Sequence, residues 1–187
     1  GPTGFQYALR VTGAASNTTL TVGQKIESVN IADLAGKTVT LSVVLLASTN
    51  QTFTWAAYYA NAADDFSGVT QISTGTWSVT TSAATYSANI SLPSQAANGV
   101  QIQIYPNAAG AFTSGTFDMT GFQVEQGSVA TPFERRPYGQ ELVLCQRYYE
   151  MSIPQGTTGF STLAGSTLSV GGSSNDLIPM SMYKVTK

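Results

Sequence analysis

The sequence of 187 residues contains no histidine and only one cysteine, Cys145, and these two shortages exclude several kinds of chemistry. Without histidine, the common zinc ligand sets are missing and no cysteine nucleophile can be activated by a histidine. A lone cysteine cannot form a disulfide within the chain, so we expect folding in a reducing compartment. We interpret Cys145 as a small buried hydrophobe rather than as a reactive thiol.

Charge is also scarce, because only 10% of the residues are charged and the formal net charge is -2. An average soluble protein has about 25% charged residues. Eight lysines and arginines spread along the chain cannot neutralise a run of phosphates, so we do not expect nucleic acid as a partner. No apolar run approaches the roughly 18 to 20 residues that cross a bilayer, so we expect no membrane insertion.

What the sequence has instead is alternation of apolar and polar residues, which is typical of half-buried strands. The pattern recurs in about eight short segments separated by Gly, Asn, Ser and Pro, and it predicts an all-β antiparallel sandwich. The parity of TFDMTGFQVEQG changes near Gly121, which predicts a β-bulge there. We expect the core to contain ten apolar side chains: Phe5, Leu9, Val39, Leu41, Val43, Ile90, Ile102, Ile104, Phe117 and Phe122.

The segment after Pro137 has a different period. Leu142, Cys145 and Tyr149 are spaced by three and four residues, which predicts a short helix. Residues 151–187 return to alternation but are too few to bury a core alone. We therefore divide the chain into an expected tag remnant (1–2), a β-sandwich (3–133), a helical connector (134–150) and a β-rich C-terminal segment (151–187), which we expect to be truncated.

One stretch, GFQVEQGSVATPFERRPYGQELVLCQRYYE, resembles the signature that closes a carbohydrate-binding-module-like jelly roll in many bacteriophage tail fibre and related virion proteins. The first part of the signature matches at Gln123, Val124, Glu125, Gly127, Ala130 to Glu134 and Arg136-Pro137. In the second part, Glu141 to Tyr149 match. YALRVTGAASNTTLTVGQKIES and LAGKTVTLSVVLLA are similar to the opening strands of the family, so the resemblance spans residues 3–150 almost completely.

This resemblance implies a jelly-roll fold and a non-enzymatic virion component, part of a tail fibre, spike or appendage. Such a component is made in the host cytoplasm, contacts other virion proteins and bacterial surface glycans, and assembles as a homotrimer. Two alternatives stay open, namely a carbohydrate-binding module of a bacterial enzyme and a glycan-degrading tail spike. No pair of carboxylates in the sequence stands out as the acid and base that a glycan-degrading spike needs.

Sugar recognition combines aromatic faces with amide side chains that hydrogen-bond hydroxyl groups. In VQIQIYPN the apolar residues should face the core, which leaves Gln101, Gln103 and Tyr105 on the other face of the strand. Tyr58 has the parity of this outer face, and we place Trp77 at its border. The alternative interpretation is that these are ordinary solvent-facing or packing residues.

The resemblance also implies a structural calcium ion near the first and last strands. Asp118 lies at the position where the family places a ligand, and Glu27 is the second carboxylate that we consider. The chain lacks an Asp-rich loop, and calcium takes six or more oxygen ligands. We therefore expect no cofactor, and a structural calcium ion at these carboxylates is the alternative.

Overall fold

Eight strands form before residue 127, and they lie in the segments in which apolar and polar residues alternate. The computed structural model describes residues 4–107, 110–135, 137, 139–140 and 142–143, and the backbone of 167–169 and 177–179. The eight strands are β1 (Leu9–Thr12), β2 (Val22–Ile26), β3 (Thr38–Ala47), β4 (Gln51–Ala62), β5 (Asp65–Val79), β6 (Ala84–Ser91), β7 (Val100–Pro106) and β8 (Thr116–Gln126).

Helix is confined to short pieces in this part of the chain. Between β2 and β3 lie helix α1 (Ser28–Ile31) and a 3-10 helix (Ala32–Leu34), and a second 3-10 helix (Ser94–Asn98) precedes β7. The chain divides into two compact units, Gly1–Phe133 and Glu134–Lys187. In the second unit, β9 (Thr167–Ser169) and β10 (Leu177–Pro179) pair antiparallel. Leu142 and Val143 are helical, whereas Cys145 and Tyr149 lie outside the described residues.

The eight strands form two four-stranded sheets. Sheet A has the order β1-β8-β3-β6 and sheet B the order β2-β7-β4-β5, with all described neighbours antiparallel. This alternation of strands between two sheets is the topology of an eight-stranded jelly roll. The predicted all-β antiparallel sandwich is therefore confirmed.

The core lies between the two sheets, and most of its members follow the predicted parity. Seven of the ten expected residues are at most 1% exposed, and Phe122 is partly buried against them. The seven are Val39, Leu41, Val43, Ile90, Ile102, Ile104 and Phe117. Rings from both sheets meet here, with the Phe53 and Phe117 centroids 5.0 Å apart.

Two core predictions, Phe5 and Leu9, are wrong. Leu9 pairs with Met119 and so has the inward parity, but its side chain is 51% exposed. The reason is that β1 is the edge strand of sheet A, where the opposing sheet no longer covers the side chains. Phe5 precedes β1 and packs on Phe133 instead, with ring centroids 5.6 Å apart.

The predicted bulge in β8 is confirmed. Ser42 pairs with Gln123 and Val44 with Thr120, so Gly121 and Phe122 together occupy the place opposite one residue of β3. Gly121 has φ 59°, in the left-handed region that glycine adopts without steric cost.

Candidate functional site

The outer face of sheet B carries a row of long polar side chains that crosses all four strands. Lys25 in β2 pairs with Gln101 in β7, Gln101 with Tyr58 in β4, and Tyr58 with Gln71 in β5. Adjacent strands in a sheet are about 4.8 Å apart, so these side chains form one continuous line.

Two further rows extend this face along the strands. The second row consists of Gly23, Gln103, Ala56 and Thr74, and the third of Tyr105, Thr54 and Thr76. The centre of the face is closed, since Ala56 has no exposed surface and Thr54 is only 8% exposed. These two short side chains of β4 thus add little exposed surface to the face.

The polar ends of several side chains on this face remain available to a ligand. Within the described part of the chain, the amides of Gln71, Gln101 and Gln103 make no hydrogen bond to protein atoms, nor does the phenol of Tyr105. The side chain of Gln101 extends toward Gly23, where a Cβ added to the glycine would lie 4.0 Å from its Nε2 atom. Each amide can donate and accept hydrogen bonds, as sugar hydroxyls can.

The two tyrosines on this face influence each other. Burial raises the pKa of Tyr58, and the nearby Tyr105 raises it further. Both rings are partly exposed. Tyr58 therefore stays a neutral phenol well above neutral pH, with an apolar ring and a hydroxyl that can donate or accept a hydrogen bond.

A third aromatic residue, Phe66, covers the end of this face. The tip of the β4–β5 hairpin crosses toward β7, where the Asp64 amide donates to the carbonyl oxygen of Asn98 over 2.8 Å. Phe66 then packs over Gly99, whose added Cβ would lie only 2.9 Å from the ring. Lys25 reaches the same ring, with Nζ 5.2 Å from the centroid.

Asp64 anchors this hairpin tip to α1. Its two carboxylate oxygens accept hydrogen bonds from the amide and the hydroxyl of Ser28, at 2.6 and 2.8 Å. These bonds lower the pKa of Asp64. Ser28 lies 36 residues away in the chain, so this contact joins the hairpin tip to a distant segment.

Four of the five predicted sugar-binding residues come together on this face: Tyr58, Gln101, Gln103 and Tyr105. The sequence prediction did not include three other residues of this face, Gln71, Phe66 and Lys25. The irregular register between Ala57 and Tyr58 places Gln71 opposite Tyr58, and strand parity alone does not reveal such a shift. Phe66 carries no sequence signal of its role, since its position depends on the crossing hairpin tip.

The fifth predicted residue, Trp77, does not border the face, and this placement corrects the prediction. Trp77 pairs with the inward-facing Phe53 and is 8% exposed. Its Nε1 donates to the carbonyl oxygen of Ser87 in sheet A over 3.1 Å, and its ring lies 6.2 Å from that of Trp55. The Gly- and Thr-rich surroundings suggested a surface position, but Trp77 bridges the two sheets inside the sandwich.

Asp118 is held by an arginine rather than free for a metal. It is 2% exposed and accepts hydrogen bonds from Arg10 Nε at 2.7 Å and Nη2 at 2.8 Å. The Arg10 hydrogen bonds lower the pKa of Asp118, so the pair is ionised at neutral pH. Among the described residues, no group of three His, Cys, Asp or Glu could hold a metal ion.

Glu27, the other residue predicted to bind calcium, lies far from Asp118. Asp118 pairs with Leu46, next to the turn between β3 and β4. Glu27 follows β2, whose last residue pairs with Val100 beside Tyr59, toward the other end of β4. One calcium ion therefore could not bind both carboxylates.

The described rows of this face lack the acid and the base that glycoside hydrolysis uses. Its three rows contain amides, hydroxyls, phenols and one ammonium, and none of these described positions carries a carboxylate. Glycoside hydrolysis usually needs two carboxyl groups that flank the scissile bond. The face can stack on a sugar ring and bond its hydroxyls, but it does not supply an acid and a base.

Comparison with known proteins gives matches only among solved structures. No family model and no curated protein matches the chain. A CBM4 structure is 20% identical, with a TM-score of 0.49, and the match covers 63% of this chain and 70% of that one. The CBM22-1 xylan-binding domain of Paenibacillus barcinonensis Xyn10C is 13% identical, with a TM-score of 0.41 and coverage of 66% and 74%.

A third similar structure comes from a virus. The tripod of the baseplate of bacteriophage Tuc2009 is 15% identical, with a TM-score of 0.39, and the match covers 68% of this chain and 48% of that one. The fold assignment for the present chain rests on its own strand order. No described helix is long and apolar enough to cross a membrane.

Proposed function

We propose that this chain is a non-enzymatic module of a phage tail fibre, spike or appendage, and that the outer face of sheet B attaches it to bacterial surface glycans. The virion context is supported by the resemblance of the segment 121–150 to tail fibre proteins. The glycan site is supported by the combination of two tyrosines with the amides of Gln71, Gln101 and Gln103, which have no hydrogen-bond partner among the described residues, on one continuous face.

A single face of this kind binds weakly. It is open rather than enclosed, so a bound sugar keeps much of its surface in water. Adhesion would then depend on several copies acting together, since linked sites raise the overall affinity without new contacts.

We also propose that the copies associate as a homotrimer through residues 134–187. Leu142 and Val143 are 40% and 62% exposed, which leaves apolar surface on the helical segment. Light scattering during size exclusion should give about three times the chain mass of 19.6 kDa. A chain that ends at Phe133 should elute as a monomer and keep its β-sheet spectrum. A mass of one chain for the whole protein would reject the trimer.

Substitution of the two tyrosines tests the glycan site. We expect Tyr58→Ala and Tyr105→Ala each to weaken binding to an arrayed glycan or to bacterial cells about three- to tenfold, the range that aromatic packing contributes. Tyr7→Ala is the matched control, because Tyr7 is 79% exposed and lies beside sheet A. If both face variants bind as tightly as the Tyr7 variant, the site is elsewhere.

A further inference from the structure

Lys25 is the one charged residue in the three described rows of the sheet B face. It stands at the edge of the row that contains Gln101 and Tyr58. Its side chain is exposed, and its ammonium lies over the ring of Phe66 at 5.2 Å. The chain as a whole has a net charge of -2. The positive charge on this face is therefore opposite in sign to the net charge of the protein.

The contact with Phe66 orients the ammonium without neutralising it. A cation over an aromatic ring is attracted by the ring quadrupole, and the ring carries no negative charge that would neutralise the cation. Arg10 shows the contrast, since its guanidinium forms two hydrogen bonds to the buried Asp118 carboxylate. Within the described residues, Lys25 forms no ion pair, and its ammonium lies over Phe66 at the end of the face.

The carboxylates near this end of the face are those of Asp64, Asp65 and Glu27, and Asp65 accepts a hydrogen bond from the amide of Ser67. Both oxygens of Asp64 accept hydrogen bonds from Ser28, so this carboxylate is turned toward α1. Glu27 directly precedes α1, beyond the end of β2. Within the paired strands, the positions that flank Lys25 are Gln101 across the sheet and Gly23 along β2, which carry no charge, and Glu27 follows two residues after Lys25.

We propose that this face selects glycans that carry an anionic substituent, a carboxylate or a phosphate, and that Lys25 contacts this group while a neighbouring sugar ring packs on Tyr58. The inference rests on the glycan site proposed above and adds the class of its ligand. Lys25 and Tyr58 are separated by the single strand β7, so their backbones lie about 10 Å apart. The anionic group would therefore belong to the sugar next to the one on Tyr58, or to a substituent that extends from it.

The test is a printed array whose glycans come in matched neutral, uronate-bearing and phosphate-bearing forms, probed with the whole protein. We expect the acidic members to bind more tightly than their neutral counterparts, and we expect this preference to shrink as salt is raised. Lys25→Gln should remove a preference of about three- to fivefold, the size that an exposed charge contact contributes. Lys25→Arg should retain it. Lys37→Gln, at an exposed lysine before β3, is the matched control.

The outcomes separate this inference from the function on which it depends. If Tyr58→Ala weakens binding but Lys25→Gln affects neutral and acidic glycans equally, the glycan site stands and the anionic selection is rejected. If Lys25→Gln lowers the affinity for neutral and acidic glycans by the same factor, the role of Lys25 is only to hold Phe66 in place. If no array member binds, or if Tyr58→Ala leaves the affinity unchanged, both proposals fail. The uronate and phosphate arms identify which anion is preferred.

Discussion

The two outer faces of the sandwich use their polar groups in opposite ways. On sheet A, the side chains bond to the protein itself: Asp118 holds Arg10, Glu125 accepts hydrogen bonds from the amide and hydroxyl of Thr131, and Thr40 donates to the carbonyl oxygen of Gly127. On sheet B, the amides of Gln101 and Gln103 have no such partner among the described residues. The carboxylates of Asp118 and Glu125 therefore lie on sheet A, where they bond to the protein, and the amides without a protein partner among the described residues lie on sheet B.

The segment after β8 accounts for much of this difference. It turns back from Gly127, bonds to Glu125 through Thr131, and reaches Phe5 through Phe133. Thr40 and Ser42 of β3 have outward parity, yet they are 1% and 4% exposed. Hydrogen bonds from Thr131 and the contact between Phe133 and Phe5 thus hold this segment against sheet A.

The largest expected effect comes from the inner side of sheet B. Ile102→Ala should lower the free energy of unfolding by about 2–5 kcal/mol, because it opens a cavity beneath a 1% exposed side chain. Gln103→Ala changes the next residue on the same strand but on the outer face, and it should change stability by less than about 0.5 kcal/mol. Chemical denaturation measures both variants. Similar losses from the two would contradict the assignment of inner and outer faces.

A smaller effect tests the covering of sheet A. Gly121→Ala should cost about 1–2 kcal/mol for its left-handed φ of 59°. It should also displace Phe5, because the added Cβ would lie 2.7 Å from the ring. Gly36→Ala is the control, since Gly36 has φ 76° with no atom within 4 Å of its added Cβ. If Gly36→Ala is as destabilising as Gly121→Ala, Phe5 does not cover this site.

Acid should weaken the self-bonded face. The hydrogen bonds from Arg10 hold the pKa of Asp118 below its ordinary value of 3.8. A carboxyl group whose pKa is lowered by folding stabilises the protein above its unfolded pKa, and this contribution is lost as pH falls through the folded pKa. The free energy of unfolding should therefore decrease as pH falls below about 4.

The contribution of this ion pair can be isolated with one substitution. Asp118→Asn should lower stability at neutral pH and make its decrease in acid shallower. Asp33→Asn, at an exposed aspartate in the 3-10 helix after α1, should change neither. Denaturation curves from pH 7 to pH 2 provide the measurement, and an unchanged pH profile for Asp118→Asn would argue against the role of the pair.

The smallest expected effect concerns the open face. Binding of a neutral glycan should be constant between pH 5 and 8, because the chain has no histidine and the raised pKa of Tyr58 keeps its phenol protonated. Affinity measured across this range tests the expectation. A pH-dependent affinity in this range would contradict a site formed by neutral amides and phenols.

Most of the strand content and the two sides of each strand could be predicted from the sequence. The alternation in VQIQIYPN correctly separates the inward Ile102 and Ile104 from the outward Gln101 and Gln103. The parity change near Gly121 correctly located the bulge. These features are local, since successive side chains of a strand point to opposite faces whatever the fold.

Other features depended on neighbours that the local pattern does not contain. Leu9 has core parity but lies on an edge strand, and Trp77 lies in a polar-looking segment but bridges the two sheets. Which strand is an edge, and which aromatic faces inward, follows from the order of strands in the sheets. That order is set by pairings between residues far apart in the chain, such as Arg10 with Asp118.

The sequence by itself therefore determined the strands, their two faces and the polar, low-charge character of the chain, because these follow from side-chain period and composition. Only the tertiary structure decided which outer face stays open. It also decided that Phe66 and Lys25 join Tyr58 there, because the hairpin tip is held by Asp64 against Ser28 and by its amide against Asn98. The physical reason is that these contacts join segments far apart in the chain, which the pairing of β2, β7 and β4 brings together.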